Sequence, residues 1–324
     1  MNAYLQGRAA TYLLVLLTAL SLNFFLPRAI PGNPLEDLSS GMGSLPIQLD
    51  GQTLQTLKEY YGLDRPLGEQ FWQYLQGLAK GELGYSISYR TPVSRLLWER
   101  LPWTLLLALT SLFCSFSAAL LLGARTVGKG QKEWRVLVPA VLFESIPPFV
   151  LGSLLLILLA VKLPLFPLSG AYSPFVKLTG FSRALDIAHH AALPVLVLSV
   201  SSFFSAYLVV RSSVSMVKHE PYVLMAEMKG LSRRVIRYRY ILRTALLPVV
   251  TFFGLRLAYS AGGALLVEVV FAYPGVGRLI YEAVLSHDYA LLQGGFLTFT
   301  LWVVLINFAT DVLYLSLDPR IKEV

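Results

Sequence analysis

Apolar residues recur along this chain in six long runs that are separated by polar or mixed segments. A helix needs about 20 apolar residues to cross roughly 30 Å of hydrocarbon, and backbone amides in lipid must be hydrogen-bonded within the span. Six windows meet this requirement: Ala9–Leu26, Leu101–Ala124, Val136–Val161, Ala191–Val210, Ala245–Ala272 and Leu292–Leu317. The pattern predicts an all-α polytopic membrane protein with six transmembrane helices.

The composition agrees with lipid as the main solvent. Of 324 residues, 55% are hydrophobic and only 14% are charged, whereas soluble domains carry about 25% charged residues. Cys114 is the only cysteine, so the chain can form no internal disulfide and no cysteine-based metal cluster. The first window follows Arg8 and lacks an evident small-x-small cleavage site. We therefore expect a retained span rather than a signal peptide.

Basic residues are concentrated in two of the loops. The loop after the second span has four basic residues and one acidic residue, and the loop after the fourth has eight and two, whereas residues 27–100 have seven basic and eight acidic residues. Since cytoplasmic loops carry the excess of Lys and Arg, this distribution predicts a multi-pass membrane protein with both termini in the cytoplasm. It also explains the net charge of +8 without nucleic acid as a partner.

These features divide the chain into three parts. Residues 1–26 hold the N-terminus and first span, residues 27–100 form an extracytoplasmic segment, and residues 101–324 form the transmembrane core. Within the outer segment, Glu69–Lys80 has helical spacing. The apolar residues that we expect on one face of this helix are Phe71, Trp72, Leu75, Leu78 and Ala79.

The cytoplasmic loop 211–244 is unusually long for a membrane protein. Pro221 suits the first turn of a helix, and Gly230 suits its end because glycine adopts the left-handed conformation. Four residues between them fall at i, i+3, i+4 and i+7 and so share one predicted face: Tyr222, Met225, Ala226 and Lys229. Ser232 is placed to cap a second, arginine-rich helix. The loop could be a docking site or only a positively charged cytoplasmic loop.

Four ionisable residues lie within the predicted spans, where such groups are costly and are functional candidates by default. They are Glu144, Arg256, Glu268 and Asp311. Arg256 could meet a substrate carboxylate or pair with an acid of a neighbouring helix. Glu268 lies twelve residues further along, about 18 Å of helix rise, so the two cannot pair within one helix. Pro147 and Pro148 predict a kink close to Glu144.

Several motifs together resemble the permeases of ABC importers, and most closely the first permease of dipeptide, oligopeptide and nickel uptake systems. The resemblance begins with Ala226–Ser232 followed by Leu246-Leu247-Pro248. Other motifs agree in order: Pro31–Pro34, Tyr61–Leu67, Gly81–Gly84, Arg100–Thr104, Glu268–Gly277 with Pro274, Gly275 and Gly277, Asn307–Asp311, and Asp318–Arg320. This chain departs from the family's usual Arg-Ala at Glu227-Met228, and Arg256 stands where Gln is common.

The resemblance implies a type I ABC importer permease fold and a division of labour among subunits. A loop helix would engage an ATPase through Tyr222, Met225, Ala226, Glu227, Lys229, Gly230 and Leu231. The implied partners are a second homologous permease, two ATPase subunits, an extracytoplasmic substrate-binding protein and membrane lipids. The chain lacks a phosphate-loop motif, so ATP and Mg would be held by the ATPases. We expect no enzyme activity, resident cofactor or metal in this chain.

Several alternatives remain at this stage. The substrate could be a peptide, nickel or a metal-chelate complex. A secondary transporter would be favoured by inverted repeats, which the sequence does not show. An intramembrane hydrolase would need a catalytic motif. The histidines of this chain form no H-E-x-x-H, and none of its serines lies in G-x-S-x-G. The histidines are His189, His190, His219 and His287, and we expect the first two in a solvated loop.

Overall fold

The computed structural model describes residues 2–29, 55, 64–126 and 131–317. The motifs Pro31–Pro34 and Asp318–Arg320 lie outside these residues, as does most of the segment between residues 30 and 63. The helices are α1 (Asn2–Ala29), α2 (Leu67–Ala79), α3 (Val93–Thr126), α4 (Gln131–Glu144), α5 (Pro148–Lys162), α6 (Gly180–Val217), α7 (Pro221–Met228), α8 (Arg233–Val270), α9 (Val276–Leu285) and α10 (Tyr289–Leu317). Two short strands, β1 (Tyr85–Ser86) and β2 (Thr91–Pro92), pair antiparallel.

Five of these helices are long and apolar enough to cross a membrane, and α4 with α5 forms a sixth, bent candidate. The predicted windows fall on these elements, but the helices extend beyond them. α6 begins at Gly180, eleven residues before the window that starts at Ala191. Hydropathy detects only the part of a helix that suits hydrocarbon, whereas backbone hydrogen bonding continues into the interface.

The third window contains a break rather than one continuous helix. α4 ends at Glu144, α5 begins at Pro148, and their axes are bent by 102°. Pro147 has an extended backbone, with φ −57° and ψ 137°, because a residue that precedes proline disfavours the helical region. The kink predicted from the two prolines is confirmed, and it separates the span into two helices.

The chain divides into two compact units, of which one comprises Trp103–Tyr273 and Leu305–Val324. In this unit α8 packs most extensively against α6. One buried cluster includes Leu107, Val197 and Phe271, and a second includes Phe116 and Tyr207. Apolar side chains thus hold α3, α6 and α8 together around the residues of interest.

The other unit comprises Met1–Pro102 and Pro274–Val304. Phe24 of α1 contacts Phe71 of α2, with ring centroids 5.1 Å apart. Trp72, expected on the same face as Phe71, is instead 61% exposed, because Tyr74 rather than Trp72 meets Phe24. The buried Asp288 accepts hydrogen bonds from Ser86 Oγ and from the Ser88 backbone N–H, at 2.6 and 3.1 Å.

Two glycines of α8 provide a matched test of how this helix packs against α10. A Cβ atom on Gly254 would lie 2.6 Å from Thr310 Cγ2, whereas one on Gly262 would meet nothing within 4 Å. We expect Gly254→Ala to lower the thermal unfolding temperature of the purified subunit, because α8 and α10 must move apart. Gly262→Ala is the control and is expected to leave it unchanged. Equal unfolding temperatures for the two variants would contradict the packing.

Candidate coupling loop and membrane cavity

The helix predicted in the cytoplasmic loop is present as α7. Pro221 occupies its first turn, and the helix ends through hydrogen bonds from Lys229 N to Met225 O at 3.0 Å and from Leu231 N to Ala226 O at 3.3 Å. Gly230 has a φ of +73°, a conformation that disfavours residues with a Cβ atom. The predicted helix and its glycine terminator are both confirmed.

One face of α7 is fixed to the beginning of α8. Val223 and Ala226 are buried against a small cluster centred on Ile236. The Tyr222 hydroxyl donates to Thr244 Oγ1 at 3.0 Å. α8 itself begins at a cap in which Ser232 Oγ accepts from Val235 N at 3.4 Å, as expected. A displacement of α7 would therefore be transmitted directly to α8.

The opposite face of α7 exposes an apolar stripe. Leu224, Met225 and Met228 are 57%, 60% and 79% exposed, and Glu227 and Lys229 lie exposed beside them. Ala226, which was predicted to share a face with Met225 and Lys229, is buried because its small side chain packs inward. Leu224 and Met228 were missed, although their i, i+4 spacing could have identified them. A contiguous exposed apolar patch of this kind is typical of a protein-docking surface.

A basic groove lies in the same unit. Its described lining residues are Arg125, Arg233, Arg234, Val235, Arg237, Tyr238 and Arg239, and its volume is about 810 Å³. Arg125 follows the second predicted span, and the other residues follow the fourth. Residues of the two basic loops therefore meet in this groove.

A polar cavity of about 200 Å³ lies among α3, α6, α8 and the break between α4 and α5. Glu144 and Arg256, two of the four intramembrane candidates, both line it. The Arg256 guanidinium donates from Nη2 to Ser205 Oγ and lies 5.2 Å from the Phe252 ring centroid. The cavity thus contains an acid and a base contributed by different helices.

The other two intramembrane candidates lie elsewhere. Glu268 is fully buried, and its Oε1 accepts a hydrogen bond from Thr104 Oγ1 at 2.6 Å. This bond joins the Arg100–Thr104 motif to the Glu268–Gly277 motif. Asp311 is half-buried on α10. Their roles in a pathway stay predictions.

The Glu268–Gly277 motif forms the turn between α8 and α9. Ala272 adopts a φ of +46°, and Tyr273 N donates to Glu268 O at 2.8 Å. Burial raises the pKa of the Tyr273 hydroxyl above its usual value. Pro274 and Gly275 then lead into α9, where Gly275 O accepts from Leu279 N at 3.2 Å. Gly277 is buried in the first turn of that helix.

The histidine pair is not in a solvated loop, contrary to expectation. His189 and His190 lie in the first part of α6, because that helix extends beyond its apolar window. His189 Nε2 lies 3.1 Å from Leu165 O, and His190 Nδ1 lies 2.9 Å from Asp186 O. These contacts give the pair a structural role at the end of the helix.

Comparison with known proteins identifies the family. The family described as "Binding-protein-dependent transport system inner membrane component" matches residues 115–323. The chain belongs to this family. The corresponding N-terminal family matches residues 1–108, so the two matches together extend over nearly the whole permease.

Curated relatives are similar to this permease along their full length. The glutathione transport system permease protein GsiC of Salmonella choleraesuis is 33% identical over 323 residues, which is 98% of each chain. The di/tripeptide transport system permease protein DppB of Pseudomonas aeruginosa is 33% identical, with 93% of each chain covered. The oligopeptide transport system permease protein AppB of Bacillus subtilis is 30% identical, with 99% of this chain and 100% of that protein covered.

Family membership decides among the alternatives left open by the sequence. The protein is a membrane-spanning permease subunit of an ABC importer with the type I permease fold. The secondary-transporter and intramembrane-hydrolase hypotheses are thereby set aside. In a permease, α7 is the natural candidate for contact with an energy-supplying subunit, and the cavity is the natural candidate for contact with the solute.

Proposed function

We propose that this permease imports peptides and forms half of the translocation pathway together with a second homologous permease. The names of its relatives support this substrate class. Two of the three are named as peptide transport permeases, and the third is named as a glutathione transport permease. They do not favour nickel. A substrate-binding protein on the extracytoplasmic side would deliver the peptide.

The coupling role rests on one observation: one face of α7 is buried and the opposite face is exposed. Val223 and Ala226 are 1% and 2% exposed on the inner face, whereas Met228 on the outer face is 79% exposed. Methionine is common at protein-binding surfaces because its side chain is flexible and polarizable. We assign the outer face to a groove on one of two ATPase subunits, which hold ATP and Mg and perform the hydrolysis.

The connection from α7 to α8 supplies a path for the coupling. Tyr222 bonds to Thr244, and Ala226 packs in the cluster with Ile236, so both contacts are made to the first turns of α8. The same helix carries Arg256 and Glu268 further along. Closure of the ATPase dimer would move α7 and, through these contacts, tilt the helix that lines the cavity.

The basic groove supports the proposed orientation. Arg125 and the arginines of α8 line it together, and the positive-inside tendency favours a cytoplasmic position for such a surface. Both termini are then cytoplasmic, and the protein lies in a bacterial inner membrane. On α8, Gly262 and Gly263 leave open space where a side chain would be. Small residues allow close approach of helices, so we place the second permease there.

The coupling role can be tested at the end of α7. Gly230→Val places a β-branched residue at a φ of +73°, which costs about 1–2 kcal/mol. A Cβ atom there meets nothing within 4 Å, so the effect is purely conformational. We expect poor assembly with the ATPases or ATP hydrolysis without import, measured on the purified complex in proteoliposomes.

Gly230→Asn is the matched control for that variant, since asparagine tolerates the left-handed region. It should retain most of the coupled import. Wild-type import by Gly230→Val would contradict the assignment of α7.

The second prediction concerns the substrate class. With its cognate binding protein, the complete importer should hydrolyse ATP faster when the binding protein carries a short peptide, and should import that peptide. The same assay with Ni²⁺ is the comparison. Stimulation by Ni²⁺ but not by any peptide would contradict the proposal.

A further inference from the structure

The cavity in the membrane region combines opposite charges with several hydroxyl groups. Arg256 comes from α8 and Glu144 from the end of α4. The hydroxyl groups that line the same space belong to Ser111, Ser201, Ser202, Tyr259 and Ser260. Ionisable groups at this depth are costly and therefore mark substrate or ion pathways. A lining with both charges suits a solute that is itself a zwitterion.

One of the serines that line the cavity has a hydroxyl without a partner among the described residues. The Ser201 Oγ atom is buried and forms no hydrogen bond with them. A buried polar group without a partner is costly, and each such group calls for an explanation. A polar ligand in the cavity would supply the missing partner once the Ser201 side chain turns towards it.

Arg256 is oriented for recognition. Ser205 Oγ accepts from one of its N–H groups, and the Phe252 ring lies 5.2 Å from the guanidinium carbon. A guanidinium has five N–H donors in a planar fork, and this fork matches the two oxygens of a carboxylate. Ser205 and Phe252 thus position the group while further donors serve a ligand.

The size and exposure of the site decide which part of a ligand it holds. Its volume of about 200 Å³ is below the roughly 300–1,000 Å³ of pockets that enclose a drug-sized ligand. Arg256 is half-buried, whereas Glu144 is exposed. The site therefore fits the C-terminal end of a short extended peptide, with its carboxylate at Arg256 and the rest of the chain directed towards the exposed Glu144.

We propose that this cavity is a binding site for the charged termini of a short peptide in transit. Arg256 and Ser201 bind the C-terminal carboxylate, and Glu144 receives the N-terminal ammonium group. The inference rests on the proposed peptide-import function and deepens it. The permease would then select peptides with free termini after the substrate-binding protein has delivered them.

The test uses the complete importer in proteoliposomes, with the binding protein saturated by each of three ligands. These are a free tripeptide, the same peptide with a C-terminal amide, and the same peptide with an N-terminal acetyl group. Saturation is verified by direct binding measurements. Arg256→Gln should reduce import of the free peptide by about tenfold or more, because hydrogen bonds to charged groups are strong. It should leave import of the amide within about twofold of wild type, since the amide lacks the charge that Arg256 recognises.

Two further variants sharpen the result. Arg256→Lys keeps the charge but loses the fork, so it should import the free peptide at an intermediate rate. Glu144→Gln should reduce import of the free peptide and leave the N-acetyl peptide unaffected. Arg95→Gln and Glu99→Gln are matched charge-removal controls, because they form an exposed pair, with 71% and 56% exposed side chains, and do not line the cavity.

Three outcomes would overturn the inference. Arg256→Gln could import all three peptides at wild-type rates, or it could reduce them all equally. The complex could also fail to assemble with either Gln or Lys at residue 256, which would make Arg256 a structural residue. Failure of the underlying function looks different, because then the wild-type importer would transport none of the three peptides.

Discussion

Hydrocarbon offers no hydrogen-bond partners, and this constraint governs where polar groups of the permease lie. Serine hydroxyls in α3 donate to carbonyl groups of their own helix, as Ser111 does to Ala108 O at 3.1 Å. The carboxylate of Glu268 is buried with a hydroxyl donor from another helix, Thr104. Arg256 and Glu144 instead line one cavity, beside the only bent pair of helices detected within the described residues.

The same constraint explains how a signal can cross the membrane region. α8 continues from Arg233 to Val270, through a π-helical stretch at Ile236–Ile241 and past Pro248. Its first turns hold α7 through Tyr222 and the Ile236 cluster, and its middle carries Arg256. In the proposed function, an event at the ATPase and a contact with the solute would be linked through this one helix.

Sequence reasoning could predict the features that depend on local chemistry. Apolar run length located the spans, and the conformational preference of glycine located the end of α7 at Gly230. Features set by packing could not be predicted in the same way. Ala226 turns inward because Ile236 covers it, and α6 includes His189 because the helix extends past its apolar window. The 102° bend after Glu144 also depends on tertiary contacts, although the prolines marked its place.

The central claim is that the outward face of α7 contacts an ATPase subunit, and site-specific cross-linking tests it most directly. In a Cys114→Ser background, cysteine would be introduced at Met228, which is 79% exposed, or at Val223, which is 1% exposed. The account predicts a cross-link from residue 228 to a co-purified ATPase subunit, with a yield that changes when ATP binds, and none from residue 223. Cross-linking from residue 223 alone, or from neither residue in an assembled complex, would contradict it.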